Sequence, residues 1–111
     1  MVSKALMDTA KRIKQSADLV YDNGDQSSAF ILYFKALLAA CDYALSEKGL
    51  RAKDHSQRFR LLEKHFPMAY AEVDYFFKFY RDSYSTIIKE EICNECKKTV
   101  ERFFKEVNIG G

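Results

Sequence analysis

Hydrophobic residues recur every three or four positions along most of this chain, which is the period of an amphipathic α-helix. The first such segment runs from about Ser3 to Tyr21 and stops at the polar stretch DNGD, residues 22–25. We expect Gly24 to end this helix and Asp25 to cap the next one. The side chains on its apolar face are Leu6, Ala10, Ile13, Ala17 and Val20.

The second segment, residues 26–48, is apolar nearly all round. Its central part carries two charged residues, Lys35 and Asp42, which are seven positions apart and therefore share one face. A helix of this kind is buried on most sides, so we expect it to be central in the fold or covered by a second subunit. Charges inside a bundle need partners, and we expect either an Asp42–Arg81 or a Lys35–Asp74 ion pair.

Two more helices follow a basic loop. The first is short: Asp54 or Ser56 can cap its start, and it ends at Phe66. The next begins at Pro67, because proline is favoured at the first position of a helix, and it runs to about Ser83.

The last predicted helix spans about residues 88–107 and has a charged outer side. Together the segments predict a single all-α domain, residues 1–111, built as an up-and-down bundle of four long helices and one short helix. The side chains expected to face inward on the short and last helices are Phe59, Leu62, Phe66, Ile92, Cys96, Val100, Phe103 and Phe104.

The fourth helix carries two apolar surfaces. Its core stripe consists of Ala69, Val73, Phe76, Phe77, Tyr80 and Tyr84. A second patch, formed by Met68, Tyr75 and Phe79, lies about 100° or more around the helix. Because large exposed apolar patches mark interfaces, this patch and the apolar second helix predict a homodimer.

Composition supports an all-α domain and excludes several other classes. Hydrophobic residues make up 48% of the chain, enough for a packed core, while one proline and four glycines leave few turn residues for an all-β protein. The longest uncharged run, residues 26–34, is far shorter than the roughly 20 residues of a membrane span. We therefore expect no membrane segment.

Three cysteines, Cys41, Cys93 and Cys96, occur in a chain that begins without an apolar signal core, which predicts reduced thiols and a cytoplasmic location. Cys93 and Cys96 form a Cys-x-x-Cys pair, but zinc needs four ligands and the other candidate ligands are scattered. We interpret the pair as small buried hydrophobic residues, and we predict neither a metal site nor a cofactor.

Basic residues are concentrated in one segment of a chain whose net charge is +2. Between Lys48 and His65 there are six lysines or arginines and two acidic residues, while the rest of the chain is net negative. Such a segment is typical either of a phosphate-binding surface or of a solvated loop and helix face.

The order of these parts carries a family resemblance. The informative stretches are KALLAACDYAL (35–45), DHS (54–56), FRLLEKHF (59–66) and YRDSYS (80–85). This layout resembles the HEPN domain, a compact helical module whose members are associated with RNA or nucleotides. The resemblance covers nearly the whole chain and rests on the layout and on three short signatures: Lys35-Ala36, Asp54-His55-Ser56 and the region of Arg81.

Because HEPN proteins fall into two kinds, the resemblance implies two functions. Some are metal-independent ribonucleases, often toxins, that use an Arg-x(4–6)-His motif from each of two subunits. Others lack the motif and bind partners, many beside a small nucleotidyltransferase, which implies a toxin–antitoxin-type system. In this chain Arg81 stands at the position of the motif's arginine, and the polar Asp82 follows it. The histidine positions hold Thr86, Ile87 and Ile88, so the resemblance implies a non-catalytic member.

A second match to the motif's spacing, RLLEKH, lies upstream in the short helix. Its Arg60 and His65 are five residues apart, which places their side chains about 140° apart around a helix. We therefore interpret Arg60 as a solvated residue and His65 as a cap at the helix C-terminus rather than as a catalytic pair.

The candidate binding residues come from the basic segment and from the end of the fourth helix. Arg81 lies beside aromatic residues and can stack on a base or bind a phosphate. We expect His55 either to face the same groove as Arg81 or to pin its own loop through a hydrogen bond. The predicted binding residues are Lys53, His55, Arg58, Lys78, Arg81, Asp82 and Tyr84.

Three functions fit these residues. The first is a non-catalytic HEPN-like module that binds RNA, a nucleotide or a partner nucleotidyltransferase. The second is a ribonuclease in which Arg81 and His55, or Arg60 and His65, cleave RNA across a dimer. The third is a protein–protein adaptor without nucleic acid, since residues 23–40 resemble the first helix of a tetratricopeptide unit.

Overall fold

The computed structural model describes residues 2–110, and within this range the regular structure is entirely helical. The helices are α1 (Val2–Asp22), α2 (Gln26–Ser46), α3 (His55–His65), α4 (Pro67–Asp82) and α5 (Glu90–Glu106). The predicted all-α class is confirmed, and each helix begins and ends within two residues of its predicted bounds.

The turn between α1 and α2 is set by the two residues that the sequence singles out. Gly24 has a φ of +87°, a left-handed conformation that a side chain would disfavour. The Asp25 carboxylate then accepts a hydrogen bond from the Ser28 backbone N–H at 3.1 Å. Asp54 caps α3 in the same way, because its carboxylate accepts from the Gln57 N–H at 2.8 Å.

The end of α5 uses an asparagine where the ends of α1 and α2 use glycine. Asn108 has a φ of +63°, and the next residue, Ile109, donates its backbone N–H to the Phe104 carbonyl at 2.8 Å. This is the hydrogen bond of a Schellman motif, and it turns Ile109 inward, where 5% of the residue is exposed.

α2 is the centre of the fold, and all four other helices pack against it. Eleven of its residues are buried, with Phe30, Tyr33 and Phe34 among the largest fully buried side chains. This burial confirms the prediction that α2 is central. Among the described helices, α2 alone has the length and hydropathy of a membrane span, and 67% of that stretch is buried inside the protein.

α4 runs antiparallel to α2. The Lys48 ammonium, just beyond the end of α2, lies 5.2 Å from the centre of the Phe66 ring, just before α4 begins. The loop after α4 returns to the start of α2, where the Ile88 N–H donates to the Ser27 hydroxyl at 2.7 Å. The C-terminal end of α4 therefore lies at the same end of the bundle as the α1–α2 turn.

α3 folds back along α4. The Phe59 ring, on α3, lies 6.1 Å from the Tyr70 ring and 5.7 Å from the Phe77 ring, centre to centre. Since Tyr70 and Phe77 are two turns apart on α4, Phe59 packs between them against the middle of that helix.

Most residues that were expected to face inward do so, with one clear exception. Tyr84 was predicted in the core stripe of the fourth helix, but 80% of it is exposed. The reason is that α4 ends at Asp82, so the helical period no longer applies to Tyr84. The confirmed buried residues are Leu62, Ala69, Val73, Phe76, Cys96, Val100, Phe103 and Phe104.

A polar network ties α1 to α2 and α5. The fully buried Tyr33 donates its hydroxyl hydrogen to the Asp18 carboxylate, which also accepts from the Lys14 ammonium at 2.9 Å. Lys14 lies 3.8 Å from the Glu101 carboxylate on α5. Burial alone would raise the pKa of Asp18, but the hydrogen bonds from Tyr33 and Lys14 hold it below its ordinary value.

We predict that Tyr33→Phe destabilises the fold by about 1–2 kcal/mol, because it removes a buried hydrogen bond without leaving a cavity. The lowered pKa of Asp18 means that its carboxylate stabilises the fold above about pH 4 and loses this contribution as the pH falls. The cost of Tyr33→Phe should therefore shrink in acid. Urea unfolding at neutral pH and at lower pH values measures both effects.

The matched control is Tyr70→Phe, since the Tyr70 hydroxyl has no hydrogen-bond partner among residues 2–110 and its loss should cost less than about 0.5 kcal/mol. An equal cost for the two variants, or a cost of Tyr33→Phe that does not change with pH, would contradict the role given to Asp18.

Candidate functional site

Asp42, Arg58 and His55 form a chain of hydrogen bonds between α2 and the first turn of α3. The Arg58 guanidinium donates from Nε to Asp42 Oδ1 at 2.8 Å and from Nη2 to Asp42 Oδ2 at 2.9 Å. Its third nitrogen, Nη1, lies 2.7 Å from Nδ1 of His55. The hydrogen bonds to Asp42 raise the pKa of Arg58, although burial opposes the shift.

This pairing corrects two predictions. Asp42 was expected to pair with Arg81, or Lys35 with Asp74, but Asp42 pairs with Arg58, and Lys35 and Asp74 are both exposed. Arg58 reaches Asp42 because it lies one turn into α3, which packs against α2.

The same pairing changes the role of Arg58, which was predicted as a binding residue. Its side chain is 16% exposed, and both its Nε and its Nη2 donate to one carboxylate. Such a bidentate pair leaves little of the guanidinium for a ligand. Arg58 is therefore a structural partner of α2, and its remaining contact is with His55.

The contact with Arg58 defines the chemistry of His55. A guanidinium has donors and no acceptor, so Nδ1 of His55 accepts this hydrogen bond and the neutral ring carries its proton on Nε2. His55 is exposed. Its Nε2–H is therefore an exposed hydrogen-bond donor beside the start of α3.

His55 and Arg81 each lie one helical turn from the contact between α3 and α4. His55 precedes Phe59 by one turn of α3, and Arg81 follows Phe77 by one turn of α4. We call this region, defined by His55 and Arg81, the α3–α4 mouth.

The groups at the end of α4 are available to a ligand. The Arg81 side chain is 68% exposed, and its ion-pair partner among the described residues is Asp82, at 3.9 Å. Tyr84 is 80% exposed, and its ring packs edge-on against Tyr80 with their centres 6.0 Å apart. An exposed guanidinium and an exposed ring three residues apart are suited to phosphate contact and base stacking.

The two predicted lysines take different positions. The side chain of Lys53 is exposed in the loop before α3, next to His55, while its backbone N–H donates to Gln57 Oε1 at 2.7 Å. Lys78 lies over the Tyr75 and Phe79 rings, 5.2 and 5.1 Å from their centres, on the side of α4 that faces α5. Lys53 is therefore near the α3–α4 mouth, and Lys78 is not part of it.

The predicted dimer patch lies partly within the protein. Met68 is 73% exposed and Tyr75 is 40% exposed, but the Tyr75 hydroxyl donates to Glu95 on α5 at 3.0 Å. Phe79 is half-buried against Tyr75, with ring centres 5.5 Å apart. Tyr75 and Phe79 therefore line a groove between α4 and α5, a placement that helix periodicity did not reveal, while Met68 lies outside it. The homodimer stays a prediction.

The other candidates give no site. Arg60 is exposed and His65 is half-buried in the last turn of α3, and no hydrogen bond between them is present among residues 2–110. Cys41, Cys93 and Cys96 are free and buried, as predicted for the Cys-x-x-Cys pair. Burial raises the pKa of Cys93 to about 11, and the part of the chain that the structure describes has no cluster of metal-binding side chains.

No family model matches this chain, and no curated protein or solved structure shows significant similarity to it. The HEPN resemblance therefore stays a prediction that rests on the order of the helices and on the short signatures.

We predict that the Asp42–Arg58 pair stabilises the fold and that Asp42→Ala and Arg58→Ala are coupled by about 1–2 kcal/mol in a double-mutant cycle, because both side chains are mostly buried. Urea unfolding of the two single variants and the double variant measures this coupling. Arg60→Ala, on the exposed side of the same helix, is the control and should change stability by less than about 0.5 kcal/mol. A coupling close to zero would show that Arg58 is free to bind a ligand.

Proposed function

We propose that this protein is a HEPN-like, non-catalytic module that binds single-stranded RNA at the α3–α4 mouth, alone or beside a partner nucleotidyltransferase. In this proposal Arg81 binds a phosphate or stacks on a base, and the Tyr84 ring stacks on an unpaired base. The Nε2–H of His55 donates a hydrogen bond to a phosphate oxygen, and the Lys53 ammonium adds positive charge beside it.

The observation that carries the proposal is the exposure of His55 and Arg81 beside the contact between α3 and α4. Each lies one helical turn from the Phe59–Phe77 contact, and neither is buried. Packed helices lie about 8–10 Å apart, a gap that a phosphodiester and these two side chains can span from either side. The HEPN resemblance, which points to the Asp-His-Ser loop and to Arg81, supports the same pair.

Single-stranded RNA fits this surface better than a duplex. An exposed tyrosine ring can stack only on a base that is free of its partner strand. The chain has a net charge of +2, which is modest for a duplex-binding protein but sufficient where stacking contributes to affinity. Binding should therefore depend on both salt and the Tyr84 ring.

RNA cleavage is a second candidate function, because Arg81 and His55 are the pair that the ribonuclease hypothesis requires. Cleavage needs a group that accepts the proton of the attacking hydroxyl. The Nδ1 lone pair of His55 is occupied by Arg58, and Nε2 carries the proton in the neutral ring. This hydrogen bonding suits a donor to phosphate, so binding without cleavage is the preferred function.

We predict that a labelled single-stranded RNA binds the protein in EDTA, with an affinity that falls as salt rises. Arg81→Ala should weaken binding about tenfold. It should also reduce the slope of log affinity against log salt concentration by about one, because one phosphate contact is lost. Tyr84→Ala should weaken binding by a similar factor without changing the salt dependence, because stacking involves no ion pair. Fluorescence anisotropy at low and moderate salt measures the dissociation constants of the wild type, Arg81→Ala and Tyr84→Ala. A gel of the same samples detects cleavage.

Arg12→Ala is the matched control, since Arg12 is an exposed arginine on α1, and it should bind RNA as the wild type does. Cleavage that His55→Ala abolishes would make the protein a ribonuclease. Absence of RNA binding at low salt, or equal affinity of the wild type, Arg81→Ala and Tyr84→Ala, would overturn the proposal and favour the adaptor function.

A further inference from the structure

Arg58 links a carboxylate of the central helix to an exposed imidazole. Its Nε and Nη2 both donate to Asp42, and its Nη1 lies 2.7 Å from Nδ1 of His55. The nitrogens of a guanidinium lie in one plane at fixed positions relative to each other. Because the Asp42 carboxylate sets two of them, the third also has a set direction, and that direction leads to His55.

The base of this link lies in a mostly buried part of the fold. The side chains of Asp42 and Arg58 are 24% and 16% exposed, and Asp42 belongs to α2, against which every other helix packs. His55 is the first residue of α3 and precedes Arg58 by three positions, a spacing that places both on one face of that helix. The link therefore begins at a packed carboxylate and ends at an exposed ring.

The other polar groups at the start of α3 have partners of their own. The Asp54 carboxylate accepts from the Gln57 backbone N–H at 2.8 Å, and Gln57 Oε1 accepts from the Lys53 backbone N–H at 2.7 Å. Among residues 2–110, Arg58 is the one hydrogen-bond partner of His55. Within this range, no second group competes with Arg58 for Nδ1.

We infer that Asp42 and Arg58 are positioning residues that select the tautomer of His55. A neutral imidazole carries its proton on either nitrogen, and the hydrogen bond at one nitrogen decides which. Because Arg58 only donates, it favours the ring with a bare Nδ1 and a protonated Nε2. The opposite tautomer would present an Nε2 lone pair to a phosphate oxygen, and two acceptors repel. The RNA part of this inference rests on the proposed function, whereas the choice of tautomer does not.

The isosteric variant Asp42→Asn breaks the link without changing a residue that we place against RNA. An asparagine side chain has one acceptor oxygen, so it does not accept from Nε and Nη2 together, and the direction of Nη1 is no longer set. Arg58→Lys breaks the same link independently, because lysine keeps a cation opposite Asp42 but lacks the planar fork. It serves as the test if Asp42→Asn fails to fold.

The first measurement is the two-bond ¹⁵N–¹H NMR spectrum of the imidazoles without RNA, at about pH 8, where an ordinary histidine is neutral. Wild-type His55 should show an unprotonated Nδ1 and a protonated Nε2, and His65→Gln assigns its signals. In Asp42→Asn and Arg58→Lys the two nitrogen shifts should move toward each other, since both tautomers become populated. Lys35→Ala changes an exposed residue on the Asp42 face of α2, and as the matched control it should leave the shifts unchanged.

The second measurement is the affinity for the labelled single-stranded RNA. His55→Ala should weaken binding about tenfold, because one hydrogen bond to a charged phosphate is lost. Asp42→Asn should weaken binding at least about twofold, because the competent tautomer falls to about half of the population. The double variant Asp42→Asn/His55→Ala should bind no more weakly than His55→Ala alone, whereas a purely structural effect of Asp42 would add to that of His55→Ala.

Unchanged His55 shifts in both Asp42→Asn and Arg58→Lys would overturn the inference, and so would an additive loss of RNA affinity in the double variant. If the wild type does not bind RNA, the proposed function fails and the phosphate contact of His55 fails with it. The NMR shifts then show separately whether Asp42 selects the tautomer, so the two failures are distinguishable.

Discussion

The burial of α2 is the constraint on which the rest of the structure depends. A helix that is apolar nearly all round is stable in water only if other elements cover it on most sides, and all four remaining helices do so. α1 supplies a face of mostly small and aliphatic side chains, and α5 supplies two cysteines, a valine and two phenylalanines. α4 supplies aromatic rings that meet Phe30 and Phe34. This requirement determines which faces of the other helices turn inward and which side chains stay exposed.

The charged residues of α2 show how one buried element determines a surface. Lys35 reaches solvent, but Asp42 is only partly exposed and needs a cation, which Arg58 provides from α3. That ion pair holds the first turn of α3 against α2 and leaves one nitrogen of the guanidinium for His55. The orientation of an exposed imidazole is thus a consequence of a carboxylate in the core helix. Arg58, which the sequence predicted as a binding residue, instead pairs with Asp42 and hydrogen-bonds to His55.

α4 separates two surfaces with different chemistry. On one side Phe77 packs against α3, and one turn later the Arg81 side chain is exposed at the α3–α4 mouth. On the other side Tyr75 and Phe79 line the groove toward α5, under the Lys78 ammonium. Helix geometry alone keeps these surfaces apart, because residues two positions apart lie on nearly opposite faces. The two faces of α4 therefore differ in both position and chemistry.

The sequence by itself determined the helices and most of the core through the period of its hydrophobic residues. It also determined the helix ends, because these depend on interactions over four residues or fewer. The signals are the left-handed Gly24, the Asp25 and Asp54 caps and Pro67 at a first helical position. It also indicated His55 and Arg81 through a resemblance. It did not predict the Asp42–Arg58 pair, which joins positions 16 residues apart, or the groove that takes in Tyr75 and Phe79. Both depend on how two helices cross and how far they diverge. Only the tertiary structure decides these, since the packing of α3, α4 and α5 against α2 sets which side chains meet.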